Sequence, residues 1–163
     1  MELSGNNNFL LVLLIMFRGL NENLLDDKGR VAFPLEFRQK LGSDQFVLTL
    51  SLYEPCLVAM TLQDFEEQAE KLRKLPASNP AITEFKRLVI ASSFVATIDK
   101  AGRVAIPKEL RAYAGLEREI LWAGMIDRIE VWSKERWNEK NRLRLSNKEE
   151  LEKLRVTLEK FGL

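Results

Sequence analysis

An internal repeat constrains this chain more than any other feature. Asp26-Asp-Lys-Gly-Arg30-Val-Ala-Phe-Pro34-Leu-Glu-Phe-Arg38 is echoed by Asp99-Lys-Ala-Gly-Arg103-Val-Ala-Ile-Pro107-Lys-Glu-Leu-Arg111, with Asp, Gly, Arg, Val, Ala, Pro, Glu and Arg recurring in register. The match runs on through Gly42 and Gly115 to the apolar stretches near Val47 and Ile120. After a one-residue slip Leu57 answers Ile129 and Phe65 answers Trp137. Self-similarity at a fixed spacing means that one supersecondary unit occurs twice.

Local chemistry predicts the same elements in each copy: an apolar strand, a tight turn at Asp-x-x-Gly, a second strand at Arg-Val-Ala-Phe or Arg-Val-Ala-Ile, then a short helix. The helices run from Pro34 to Gly42 and from Pro107 to Gly115, since proline suits the first helical position and glycine the position just past the end. Two further strands follow, near Gln45 to Leu50 and Cys56 to Met60 in the first copy, and near Glu119 to Trp122 and Arg128 to Trp132 in the second. A β-β-α-β-β unit of about fifty residues buries little surface alone. The two copies are therefore expected to share one core as a composite barrel, giving a β-rich α+β fold.

Between the copies lie two predicted helices: Leu62 to Leu75, with Leu62, Phe65, Ala69 and Leu72 on one face, and Pro80 to Ala91, capped by Asn79. Near the end, Ser146-Asn-Lys-Glu149 has the pattern of a capping box, followed by Leu151, Leu154, Leu158 and Phe161 at helical spacing. The expected division is residues 1–15 as an extension, 16–61 as the first repeat, 62–91 as a helical connector, 92–134 as the second repeat and 135–163 as a C-terminal helical segment.

Composition narrows the function. The 163 residues are 46% apolar and 30% charged, which describes an ordinary globular chain. A formal net charge of +1 means that any nucleic-acid contact must come from a local patch. With no histidine, the commonest general base and zinc ligand is missing. The single cysteine, Cys56, reads as a small core residue and fits a reducing cytosol. No phosphate loop, metal motif or nucleotide fingerprint is present, so no cofactor, metal or small-molecule substrate is expected. The apolar run Phe9 to Phe17 is about half the length that spans a bilayer and lacks a basic flank, so no membrane association is expected. Residues 1–15 read instead as an upstream leader before a start at Met16, or as an extra strand or oligomer contact.

Met16-Phe-Arg-Gly19, Asp26-x-Lys-Gly-Arg30, Tyr53-Glu-Pro-Cys-Leu57, Asn79-Pro80 and Asp99-x-x-Gly-Arg103, in that order, resemble the MraZ family, from Met16 to near the C-terminus. The resemblance implies tandem AbrB-like units in a swapped-hairpin fold and a homo-oligomer closed into a ring. It further implies binding to repeated short boxes in double-stranded DNA upstream of a cell-division and cell-wall gene cluster, the regulator's own promoter included. Repression, and a place in the cytoplasm at the nucleoid, are part of the same expectation.

The turns carry the physical case for such contact. In Asp26-x-x-Gly29-Arg30 the glycine permits positive φ, the aspartate accepts turn amides, and Lys28 and Arg30 project at or beside the tip. A β-ribbon bearing cations fits the major groove. Arg30 is then a guanine or phosphate ligand and Lys28 a point charge, unless Asp26 and Arg30 merely pair across the turn. In the second copy Asp99 and Gly102 shape the turn, Arg103 recurs, Lys100 replaces Asp27 and Ala101 replaces Lys28. Arg18 is a further family-matched cation; Arg38 and Arg111 recur on the short helices, from which they could reach phosphate, although solubility is the ordinary role of such residues.

Two rivals are weighed against this: an oligomeric protein-interaction module that does not bind DNA, and an enzyme using Asp26 with Asp99 as paired carboxylates. The second suffers from an arginine following each aspartate, which keeps it ionised.

Overall fold

The computed structural model describes residues 16–163. The expectations for residues 1–15, including most of the apolar run, lie outside the described residues. Two compact units are present, the first ending at Ser133 and the second running from Lys134 to Leu163.

In the first unit the elements follow in the order β1 (Phe17–Leu24), β2 (Arg30–Ala32), α1 (Leu35–Leu41), β3 (Gln45–Leu50), β4 (Leu57–Met60), α2 (Leu62–Arg73) and α3 (Pro80–Phe85), which continues into a π-helical turn at Lys86–Ile90. Then come β5 (Phe94–Thr97), β6 (Arg103–Ala105), α4 (Lys108–Ala114), β7 (Glu119–Ile126) and β8 (Ile129–Ser133). The second unit holds α5 (Lys134–Ser146) and α6 (Lys148–Glu159). The order β-β-α-β-β-α-α thus occurs twice.

Six strands form one antiparallel sheet in the order β1-β7-β8-β4-β3-β5, and β2 pairs with β6 in a separate ribbon. The first strand of each copy pairs with the third strand of the other, β1 on β7 and β5 on β3. Backbone bonds around the turns repeat this exchange: Leu25 N–H donates to the Arg118 carbonyl at 2.8 Å and Ile98 N–H to the Asp44 carbonyl at 2.8 Å. Neither copy completes a sheet by itself.

The closed barrel expected from the sequence is not found. The sheet is open, with β1 and β5 at its edges. The strands that would have to close it, β2 and β6, are 3 residues each and pair with one another. Outside the named strands, β2 reaches the β1 side through one bridge, Leu25 to Val31.

The main core draws on both copies, with Val31, Phe33, Phe37, Phe46 and Leu48 packed against Val104, Ile106, Leu110, Ile120 and Trp122. Phe33 meets Trp122 edge-on at 5.1 Å. Burial of this apolar surface is the main drive for folding. Val47, Val58 and Met60 face the other way, against Phe65 of α2. On that face the buried Thr49 hydroxyl donates to the Val89 carbonyl at 2.6 Å, which ties the π-helical turn to β3. Of the four residues predicted to face inward from α2, Phe65 reaches this cluster while Leu62 stays exposed.

The sequence match of Val47 to Ile120 is off by one residue in space. Ile120 shares the main core with Phe46, whereas Val47 points to the opposite face. The loop from Gly115 to β7 carries one residue more than the loop from Gly42 to β3, and a one-residue shift along a strand turns every side chain over.

Helix ends follow local chemistry with small shifts. Pro34 and Pro107 occupy the cap position rather than the first turn, and Gly42 and Gly115 are left-handed at the C-terminal ends. Asn79 accepts from Ala81 N–H at 3.0 Å as expected. The cap of α6 is Asn147, which accepts from Glu150 N–H at 3.1 Å, so the predicted box moves by one and Ser146 ends α5. On α6, Leu151 and Leu158 are half-buried and Leu154 is exposed, and Phe161, just past the end of the helix, is exposed as well. Cys56 is fully buried, as expected, and burial first, then the nearby Glu130 carboxylate, pushes its thiol up to about 12. Among the described residues no helix is long and apolar enough to cross a membrane.

Candidate nucleic-acid interface

The two Asp-x-x-Gly-Arg turns are built alike, because each aspartate organises its own loop. Asp26 Oδ1 accepts the N–H groups of Lys28 and Arg30, both at 2.9 Å, and Oδ2 accepts Arg30 Nε at 2.8 Å. Asp99 Oδ1 likewise accepts Ala101 and Arg103 N–H at 2.9 Å, and Oδ2 accepts Arg103 Nε at 3.2 Å. The Arg30 amide first, aided by the Arg30 side chain and the Lys28 amide, holds the Asp26 carboxyl below its ordinary value; Arg103 and the Ala101 amide do the same for Asp99. Gly29 and Gly102 sit at φ 77° and 75°, in the left-handed region that a Cβ disfavours.

Pairing of β2 with β6 brings the turns together. Arg30 lies opposite Ala105 and Ala32 opposite Arg103, while Val31 and Val104 point into the core. Side chains alternate along a strand, so Arg30, Ala32, Arg103 and Ala105 share the outer face. The two arginines are diagonal neighbours there, about 7–8 Å apart at the backbone. The alanines leave them unobstructed. Lys28 and Lys100 are exposed at the two tips.

Arg18 is not part of this group. It is exposed on β1 opposite Met125, about 20 Å of strand from the end at Leu24 that leads into the turn.

Arg38 and Arg111, which the sequence offered as solubilising charges within possible reach of phosphate, approach the turns from the other copy. An ideal Cβ on Gly29 would stand 2.9 Å from Arg111 Cζ and 3.0 Å from its Nε and Nη2, so the Arg111 guanidinium fills the space beside that glycine. Arg111 Nε donates to the Ile106 carbonyl at 3.0 Å, and Ile106 N–H donates to the Gly29 carbonyl at 2.8 Å. Phe33 N–H makes the matching bond to the Gly102 carbonyl at 2.9 Å, while Arg38 comes no closer than 3.9 Å to a Cβ on Gly102. The signal in the sequence was their recurrence at one spacing in both copies.

The paired-carboxylate reading finds no support in this geometry. Both aspartates have their oxygens engaged by turn amides and arginine, and a carboxyl held ionised in this way is a poor proton donor. Among the described residues no group of three or more His, Cys, Asp and Glu side chains is placed to hold a metal ion.

Two copies of one unit, exchanging strands around a common core and presenting an arginine-bearing ribbon, define a tandem-repeat α+β protein. Its sequence matches the family described as "MraZ protein, putative antitoxin-like" twice, over residues 16–88 and 90–156. A protein of Caldanaerobacter subterraneus subsp. tengcongensis named "Transcriptional regulator MraZ" is 39% identical over 76% of this chain and 85% of its own length. One of the same name from Caldicellulosiruptor saccharolyticus is 36% identical over 91% of this chain and 100% of its own. Another, from Thermomicrobium roseum, is 41% identical over 75% and 84%. The chain belongs to the MraZ family.

Proposed function

We propose that this chain is a sequence-specific transcriptional regulator that lays the β2–β6 ribbon into the major groove of double-stranded DNA. The observation that carries this reading is the outer face of the ribbon, where Arg30 and Arg103 stand diagonally between two alanines. A two-stranded ribbon fits the groove, and arginine reads guanine in a bidentate manner. Asp26 holds Arg30 through Nε, and its two Nη groups make no hydrogen bond among the described residues. Arg103 is held by Asp99 Oδ2 through both Nε, at 3.2 Å, and Nη2, at 3.1 Å. Lys28 and Lys100 act on the phosphate backbone as point charges, and Asp26, Gly29, Asp99 and Gly102 set the shape of the turns. The name "Transcriptional regulator MraZ" borne by relatives at these identities supports the same function.

The finer reading follows the family. The fold is a tandem AbrB-like swapped-hairpin arrangement, in keeping with the strand exchange between copies. The protein acts as a repressor at the nucleoid, on repeated boxes upstream of a cell-division and cell-wall cluster that includes its own promoter. It works as a homo-oligomeric ring, because a net charge of +1 gives one subunit little attraction for DNA and several ribbons on one assembly supply it by effective concentration.

One observation favours the rival reading of a protein-interaction module: each arginine is already ion-paired with its aspartate, at 2.8 Å in the first turn and 3.1 Å in the second. Fluorescence anisotropy on the protein's own upstream DNA, with excess random competitor and a salt series, separates the two. Wild type is expected to resist the competitor, and Arg30→Ala to weaken specific binding by about 1–3 kcal/mol with the oligomer intact. Equal binding by both proteins with full competition by random DNA would mean that the turns are structural.

A further inference from the structure

The two turns are not equivalent, and the difference lies in the helix arginines that reach them. Arg38 donates Nε and Nη2 to Asp44 Oδ1 at 3.1 and 3.0 Å. Arg111 meets no carboxylate among the described residues. Its Nε is held by the Ile106 carbonyl, its plane lies beside Gly29, and its Nη groups make no hydrogen bond among those residues. The backbone explains the contrast. Asp44 accepts Ile98 N–H through its carbonyl, and in the other copy the residue that accepts Leu25 N–H is Arg118. The extra residue in the loop before β7 thus puts a cation where the first copy has the restraining carboxylate.

Resting on the DNA-binding reading above, we infer that Arg111 is a phosphate-binding residue of the first turn, contributed by the second repeat, and that Asp44 keeps its counterpart Arg38 out of the contact. A guanidinium fixed through Nε, with both Nη groups unengaged and Lys28 exposed at the neighbouring tip, is arranged to take a phosphate oxygen. The fixed geometry lowers the ordering cost of the contact. Arg38 has the same length and place on its helix, but its charge is already matched by Asp44. One subunit therefore grips DNA unequally, more strongly at the turn of Asp26 than at that of Asp99.

The test is the salt dependence of binding by the full-length protein, measured on its upstream DNA and on random duplex, for wild type, Arg111→Gln, Arg111→Lys and Asp44→Asn. A phosphate contact is sequence-independent, so Arg111→Gln is expected to weaken both DNAs by the same factor, on the order of tenfold, and to reduce the log–log salt slope by about one. Arg111→Lys keeps the charge and is expected to keep the slope. Asp44→Asn releases Arg38 and is expected to raise the slope by about one, a gain that damage to the fold cannot mimic. Should Arg111→Gln fail to fold, the Asp44→Asn and Arg111→Lys arms decide. Specific, Arg30-dependent binding with unchanged slopes in Arg111→Gln and Asp44→Asn overturns the inference and leaves the DNA-binding reading intact. Wild type that shows no specific binding overturns both.

Discussion

At the scale of single residues, the turns depend on two carboxylates kept ionised by amide and guanidinium donors. Asp26 and Asp99 both have carboxyl groups lowered from the ordinary value. A group lowered in the folded state adds stability that is present above its unfolded value and lost as the pH falls through the lowered folded value. Asp26→Asn is therefore expected to melt below wild type at neutral pH, with the gap closing in acid. Carbon-detected titration of the side-chain carboxyls checks the assignment directly: Asp26 and Asp99 should titrate below the ordinary aspartate value. Ordinary values for both would mean that the turn amides and arginines do not hold these carboxylates ionised.

At the scale of elements, two positions in β7 test how the edge of the sheet is made. Gly124 pairs with Gly19, and an ideal Cβ there would stand 2.3 Å from Arg18 N and 2.5 Å from Arg18 Cα. Backbone at that distance has to move, so Gly124→Ala is expected to loosen β1 selectively. Hydrogen exchange should show the amides of β1 exposed while those of β3 and β4 stay protected. Ile126, at the tight turn into β8, has φ 71° and is 68% exposed, a conformation costly for a β-branched side chain with little packing in return. Ile126→Gly is expected to stabilise the fold by about 1 kcal/mol, read as a rise in thermal midpoint. A fall would mean that this side chain is held by contacts in the assembled protein.

At the scale of the whole molecule, the proposed function requires a chain of net charge +1 to grip a polyanion. The proposed answer is repetition: two turns per subunit, and several subunits per assembly. The second unit carries Leu145 at 70%, Phe161 at 75% and Leu163 at 81% exposure, apolar surface of the kind that subunit contacts cover. Leu154→Glu with Phe161→Glu is expected to lower the mass by light scattering and to weaken binding to DNA with several boxes far more than to DNA with one. An unchanged mass would mean that these side chains make no subunit contact.

The sequence by itself determined what is local or periodic. The Asp-x-x-Gly-Arg turns, the short helices between proline and glycine, the Asn79 cap and the burial of Cys56 follow from residue chemistry within a few positions, and the repeat was visible because both copies obey the same chemistry. Family membership was legible for the same reason, since its motifs are short and separate. Tertiary structure alone decided which strand pairs with which. Nothing in either copy states that β1 belongs with β7 or that β2 and β6 pair with each other, and it is that pairing which leaves the sheet open and sets Arg30 diagonal to Arg103. It also decided what one extra loop residue does. The insertion before β7 turns a strand over and replaces Asp44 by Arg118 beside the turn, because register and cross-copy contact are properties of two distant segments meeting in space.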